Sequence, residues 1–369
     1  MKYISRSIAK TLEEWKESTT HKPLLLRGAR QVGKSSAVRH LGTQFKYFAE
    51  VNFESAKSIA TFFKGDLDVK LISSKISNYI QVPIIPGQTL LFLDEIQACP
   101  EAIMALRFFK EDYPELHVIA AGSLLEFALQ SLPTFGVGRI HSVFMYPMTF
   151  DEFLVAMDMG GLLAMRREAT ATHPLDAPFH DKLVNLFRTY LMVGGMPEAV
   201  ATWRETTDFL KCQQVHQDII LTYEDDFNKY GRRVNPELLR LTLHGVCHQI
   251  GQKLTFSRIS EGYRSAQIRE ALNLLTLAGL VIPVVATSAN GVPLDAESDE
   301  KRAKYLFLDS GLLLAILHLD GQLGHDLIKL IMTATPQDLI NKGSITEMVA
   351  GLEISRYKSP VMRPRLFYW

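Results

Sequence analysis

The sequence predicts an α/β fold: a parallel sheet covered on both faces, then a mostly helical stretch and a smaller α+β region. Three observations predict it. Strand-like runs recur through the first 150 residues, at Pro23–Leu26, Lys46–Phe53, Thr89–Leu93, Leu116–Ala121 and Ile140–Tyr146. Helix-like segments such as Gly33–Leu41 and Glu101–Lys110 separate them. Short apolar strands joined through helices belong to sheets sandwiched between helices. The third observation is length: 369 residues exceed what one core ordinarily serves, so two or three domains are expected.

Beyond Phe150 the pattern is helical as far as Lys229, broken by an Ala-, Thr- and Pro-rich surface loop at Thr170–Pro178. Pro236 then opens a helix that carries Leu239, Leu243, Val246 and Ile250 at helical spacing. A second helix, Ser265–Ala278, stops at Gly279, as a glycine C-terminal cap would stop it. Leu280–Ala286 and Lys304–Leu308 read as two strands joined by an acidic loop, which completes the outline of a winged helix. A last helical stretch lies around Ile345–Tyr357. The expected division is therefore 1–150 for the sheet domain, 151–232 for a helical lid, 233–318 for a winged-helix-like unit, and 319–369 for the start of a further α+β region.

Bulk properties exclude several classes. Forty Lys and Arg balance forty Asp and Glu, which argues against a nonspecific nucleic-acid coat. Cys99, Cys212 and Cys247 are odd in number and far apart, so neither a disulfide framework nor a paired zinc site follows. The apolar segments Leu272–Ala286 and Leu306–Leu319 are interrupted by Pro283 and Asp309 and fall short of the roughly 18 uninterrupted residues of a membrane span. With no signal peptide visible after Met1, the reading is a soluble, cytoplasmic protein.

The chemistry concentrates in two motifs. Gly28-Ala29-Arg30-Gln31-Val32-Gly33-Lys34-Ser35 matches GxxxxGK[ST] and sits between a strand and a helix, with Ser36 following. Glycines let successive N–H groups converge on a β-phosphate, helped by the helix N-terminus. Lys34 would reach the β- and γ-phosphates of ATP, and the Ser35 hydroxyl would bind Mg²⁺. The second motif is Thr89-Leu-Leu-Phe-Leu-Asp94-Glu95, a buried strand whose tip offers a carboxylate to Mg²⁺. Glu95 stands where a base for the attacking water is needed. Ser123, in Ala121-Gly-Ser, either contacts the γ-phosphate or serves only its turn. Arg139, in Gly136-Val-Gly-Arg, is either an arginine finger, in cis or from a neighbouring subunit, or a structural residue.

Taken together, Arg27–Ser35, Leu93-Asp-Glu-Ile-Gln97, Ala121–Phe127, Tyr146-Pro-Met-Thr-Phe-Asp-Glu-Phe153 and Gly194-Gly-Met-Pro-Glu198 resemble the prokaryotic AAA-type ATPases, akin to archaeal and signalling ATPases, that carry a C-terminal domain of unknown function. Tyr3-Ile-Ser-Arg6 and Phe307-Leu-Asp-Ser-Gly-Leu312 fit the same pattern. The resemblance implies a P-loop domain, helical lid, winged helix and a restriction-endonuclease-like end, with ATP and Mg²⁺ bound and a homo-oligomer in view. Where the family continues from a Tyr-Trp into an acidic strand and a Glu-x-Lys segment, this sequence stops at Tyr368-Trp369. Glu347 matches one acidic position, and Lys358 precedes the landmark, so a complete nuclease site is not expected. On the same reasoning the terminal helix is expected to be poorly anchored.

Other assignments are weaker. His244 and His248 share a helix face but lack a third ligand for zinc. Arg264 and Arg269 suit phosphate contacts, yet Glu261 and Glu270 stand beside them, so the winged helix suits a protein or a DNA partner. Two functions remain open: an ATP hydrolase that moves its lid and winged helix, or a slow nucleotide-dependent switch or adaptor.

Overall fold

The computed structural model describes residues 3–131, 138–228, 234–319, 343–357, 360–361 and 365–369, with 328–329, 331 and 333. Gly136 and Lys358, named above, lie outside the described residues. In chain order the first part comprises α1 (Ile8–Glu17), β1 (Leu24–Arg27), α2 (Lys34–Gly42), β2 (Tyr47–Asn52), α3 (Val69–Ile80), β3 (Thr89–Asp94), α4 (Pro100–Asp112), β4 (His117–Ala121), α5 (Leu125–Ser131) and β5 (His141–Phe144). All five strands are parallel, in the order β2-β3-β4-β1-β5.

The apolar runs are explained by what lies on the two faces of this sheet. Leu90 and Phe92 of β3 enter one core with α1 and α2, whereas Leu91 and Leu93 enter another with α3 and α4. Every position of β3 is buried, so no polar alternation survives in its sequence. Two helices that the sequence pattern passed over, α1 and α3, are specified by spacing and capping. Ile8, Leu12 and Trp15 form the buried stripe of α1. The Asp68 side chain accepts hydrogen bonds from the N–H groups of Lys70 and Leu71 at 3.0 Å each, a cap that contributes about 1 kcal/mol to α3.

Five helices follow: α6 (Phe150–Ala156), α7 (Gly160–Glu168), α8 (Ala177–Val193), α9 (Pro197–Thr206) and α10 (Phe209–Phe227). Then come α11 (Pro236–His248), α12 (Ser265–Leu277), the antiparallel pair β6 (Val281–Thr287) and β7 (Ser298–Phe307), and α13 (Ser310–Leu319). Gly279, at φ +76°, closes α12 in the left-handed conformation that a side chain would resist. β7 begins earlier than its apolar stretch suggests, because its polar first half pairs with Val285–Thr287. The face of the parallel sheet that carries Leu90 shares one continuous core with α6, α8–α13 and the terminal helix.

That terminal helix corrects an expectation. α14 (Ser344–Tyr357) is firmly held, not loosely attached. Ile345, Met348, Val349 and Leu352 are buried in the common core. Arg356 donates to the carbonyls of Leu308 (2.8 Å) and Met148 (3.2 Å), and Glu353 accepts from the Phe150 N–H at 3.0 Å. The chain end then supplies β8 (Leu366–Tyr368), which pairs in parallel with β6, so a sheet is present beside the helix. Among the described residues no helix is long and apolar enough to cross a membrane.

Arg356→Ala should lower unfolding free energy by about 1.5–3 kcal/mol, the weight of hydrogen bonds from a charged donor. Arg302→Ala, whose side chain is 67% exposed, should stay within about 0.5 kcal/mol of the parent. Denaturant midpoints measure both; equal, negligible effects would show α14 to be unanchored.

Candidate nucleotide-binding site

The loop between β1 and α2 holds its shape through backbone positions that only particular residues tolerate. Gly28 has φ +144°, and a Cβ there would overlap the Met145 carbonyl. Gly33, at φ +96°, turns the chain into α2. The Arg6 guanidinium fastens the loop from below. It donates to the Val32 carbonyl (2.9 Å), the Tyr146 carbonyl (2.7 Å) and the Glu152 carboxylate (3.0 Å). Although burial opposes it, the charge of Arg6 and the hydrogen bonds from Arg6, Ser7 and Thr149 hold the Glu152 carboxyl below its ordinary value. Glu152 also completes the capping box of α6 with Thr149.

Within the loop, Lys34 is buried and folds its ammonium back onto the carbonyls of Gly28 (2.9 Å) and Ala29 (2.7 Å). Burial pushes its pKa down to about 8, despite the opposing charges of Glu95 and Asp94. The Ser35 hydroxyl donates to Asp94, 3.0 and 3.2 Å from its two oxygens. Asn52, at the tip of β2, adds a contact at 3.4 Å. Burial, reinforced by Glu95, raises the Asp94 carboxyl, while the Ser35 hydrogen bond opposes that rise. A buried, protonation-prone carboxylate touching a hydroxyl is the donor pair a magnesium ion would relieve, and the residues fit that ion.

Lys34, Ser35 and Glu95 line a cavity of about 360 Å³ that also takes in Tyr3, Arg6, Arg30, Ser36, Ser123 and Glu198, and Asp94 adjoins it through Ser35. Lys34, Ser35, Asp94, Glu95 and Ser123 are thus brought together from separate segments of the chain. Ser123 is buried, and its hydroxyl has no hydrogen-bond partner among the described residues. Arg27 ion-pairs with Glu126 and so pins the turn after β4 to β1. Arg139 is not brought to this cavity. It precedes β5 at the end of the sheet opposite the loop, since Leu24 pairs with His141 and Arg27 with Phe144. There its side chain meets Glu111 at 3.1 Å.

Sequence reasoning missed several contributors. Arg6 is one; it entered only within Tyr3-Ile-Ser-Arg6, as part of the family resemblance. The hold on Arg30, itself expected in the loop, is another: Arg30 pairs with Asp226 of α10 at 2.8–2.9 Å, and the Tyr223 hydroxyl donates to the Arg30 carbonyl at 2.8 Å. α10 therefore grips the loop directly. Gln97, which bonds Glu95, is the third. Elsewhere His244 lies 3.3 Å from Glu224, and no group of three His, Cys, Asp or Glu among the described residues is placed to hold a metal. Glu347 accepts from Lys304 at 2.6 Å, and Arg264, just before α12, and Arg269 on it are exposed.

Comparisons with known proteins agree with this geometry. Residues 20–154 match a family described as an AAA domain, and residues 184–323 match a domain of unknown function (DUF8612). No curated protein matches the chain. Among solved structures, the Walker-type ATPase PABY2304 of Pyrococcus abyssi is similar at 16% identity and TM-score 0.52, covering 85% of this chain and 96% of that one. The ORC1 protein of Aeropyrum pernix, solved in complex with DNA, aligns at 14% identity over 88% and 92% of the two chains, but its TM-score of 0.31 is too low to carry an argument. The fold is that of an α/β P-loop NTPase whose first part is similar to an AAA domain.

Proposed function

We propose that the chain binds Mg·ATP between the Gly28–Ser36 loop and Asp94 and hydrolyses it, with Glu95 as base. The contact of Ser35 with both Asp94 oxygens carries the proposal, because it places the two side chains that would share a magnesium ion at the mouth of the loop. Gly28 to Gly33 would present their N–H groups to the phosphates, and the Lys34 ammonium would exchange its two carbonyl partners for phosphate oxygens. When bound, magnesium would neutralise charge on the β- and γ-phosphates. Glu95 accepts a proton from water as the water oxygen bonds to the γ-phosphorus and the bridging oxygen departs with ADP. Ser123, with its unpartnered hydroxyl, suits contact with the γ-phosphate.

A second reading is a slow switch, favoured by the contacts of Arg30 with Asp226 and Tyr223, through which nucleotide state would reach α10 and the winged-helix-like part. A protein or DNA partner at α12 belongs to the same reading. Arg139, remote from its own chain's cavity, suits a finger offered to a neighbouring copy.

Glu95→Gln should retain Mg·ATP binding while slowing phosphate release by roughly a hundredfold or more, since an amide cannot take the proton. Asp94→Asn should instead weaken the dependence on magnesium. Wild-type turnover in Glu95→Gln would remove Glu95 from the mechanism.

The lysine sets a pH dependence. Free Lys34 loses its proton around pH 8, and bound phosphates favour the charged form. ATP affinity should therefore fall as pH rises through about 8, with net proton uptake on binding there, read by calorimetry in two buffers of different ionisation enthalpy. Flat affinity from pH 7 to about 9.5 would contradict it.

If Arg139 acts on a neighbour, mixing inactive Lys34→Ala and Arg139→Ala chains should restore some phosphate release. No rescue, with activity per chain independent of concentration, would leave Arg139 structural.

A further inference from the structure

Glu95 occupies an unusual backbone position, with φ +50° in the left-handed region, where a residue other than glycine sits at a cost of about 1–2 kcal/mol. The turn it opens, Ile96–Ala98, carries Gln97 back toward it. The Gln97 amide nitrogen donates to Glu95 Oε2 at 2.6 Å, a short contact of the kind made to a charged acceptor. Glu95 Oε1 makes no hydrogen bond of its own to a described residue, and Glu95 lines the cavity. One carboxylate oxygen is tied and the other is left for water.

The other end of Gln97 is also informative. Its Oε1 is buried without a partner, pressed against Gly122, where a Cβ would overlap it. Ser123, the next residue, has the second unpartnered buried oxygen of this turn. Leaving a buried amide oxygen unsatisfied is costly, and an apolar side chain of the same length would fill the space without that cost. The side chain retained here is the one that gives Glu95 an N–H donor.

We propose that Gln97 is a positioning residue for hydrolysis, holding one oxygen of Glu95 so that the other meets the attacking water, with Gly122 left bare to admit its amide. This rests on the reading of Glu95 as base.

The test compares phosphate release and Mg·ATP affinity for Gln97→Met, which keeps length but removes the donor, and Gly122→Ala, which displaces the amide while leaving Gln97 in place. Each should lower kcat roughly tenfold or more with affinity within about twofold of the parent, the effect of losing one hydrogen bond to a charged group. In a Glu95→Gln background, single-turnover rates should show no further loss from Gln97→Met, since the held group is already gone. An unchanged or raised kcat, a matching loss of affinity, or an additive loss on Glu95→Gln would overturn the proposal. If Gln97→Met fails to fold by thermal unfolding, Gly122→Ala decides on the same criteria. Wild-type turnover in Glu95→Gln alone would sink the base assignment and this inference together, whereas slow Glu95→Gln with unaffected Gln97→Met would sink only this inference.

Discussion

The site depends on one buried guanidinium. Arg6 is 7% exposed, and its partners come from two stretches far apart in the chain: the phosphate loop at Val32, and residues 146–152 after β5, through Tyr146 and Glu152. A guanidinium offers five fixed donors, so a planar fork can hold several acceptors at once where a lysine would hold one point. Removing it would strand the Glu152 carboxylate away from water, the costly half of breaking a buried pair. The loop is thus built against a rigid floor before any ligand arrives, as electrostatic preorganisation requires.

The same segment after β5 joins the loop to the rest of the molecule. Met145 receives the close approach of Gly28, and the Met148 N–H donates to the Gly195 carbonyl at 2.6 Å. Gly195 donates to buried Asp309, whose other oxygen caps α13 through Gly311 and Leu312. Tyr190 and Arg356 both reach the Met148 carbonyl. A displacement at Tyr146–Met148 would therefore be felt in α8, α13 and α14, through hydrogen bonds that have little freedom to stretch. The glycines at 194 and 195 allow this convergence, because side chains there would occupy the space of Asp309 and Met148.

Charge is arranged around the loop with equal economy. Lys34 is a buried cation held by neutral carbonyls, and Asp94 is a buried carboxylate held by the Ser35 hydroxyl, the Asn52 side-chain amide and the Glu95 backbone N–H. Each lacks a full counter-charge of its own in direct contact. Both are groups for which a phosphate and a divalent cation supply what the protein withholds.

The sequence by itself determined whatever depends on neighbours along the chain. The phosphate loop is legible because its amides are contiguous and its glycines must sit at Gly28 and Gly33. β3 is legible because burial on both faces leaves the apolar run Leu90–Leu93 before Asp94, and the end of α12 because Gly279 takes its backbone angle freely. Contacts between distant segments leave no such trace. Nothing local distinguishes Arg6, which anchors the loop, from Arg139, which lies at the far end of the sheet, and nothing near Arg30 announces Asp226. The firm seating of α14 likewise follows from Met148, Leu308 and β7, none of them adjacent to it in sequence. Those pairings were decided only when the layers packed, because a hydrogen bond between remote residues is set by where the core brings their backbones.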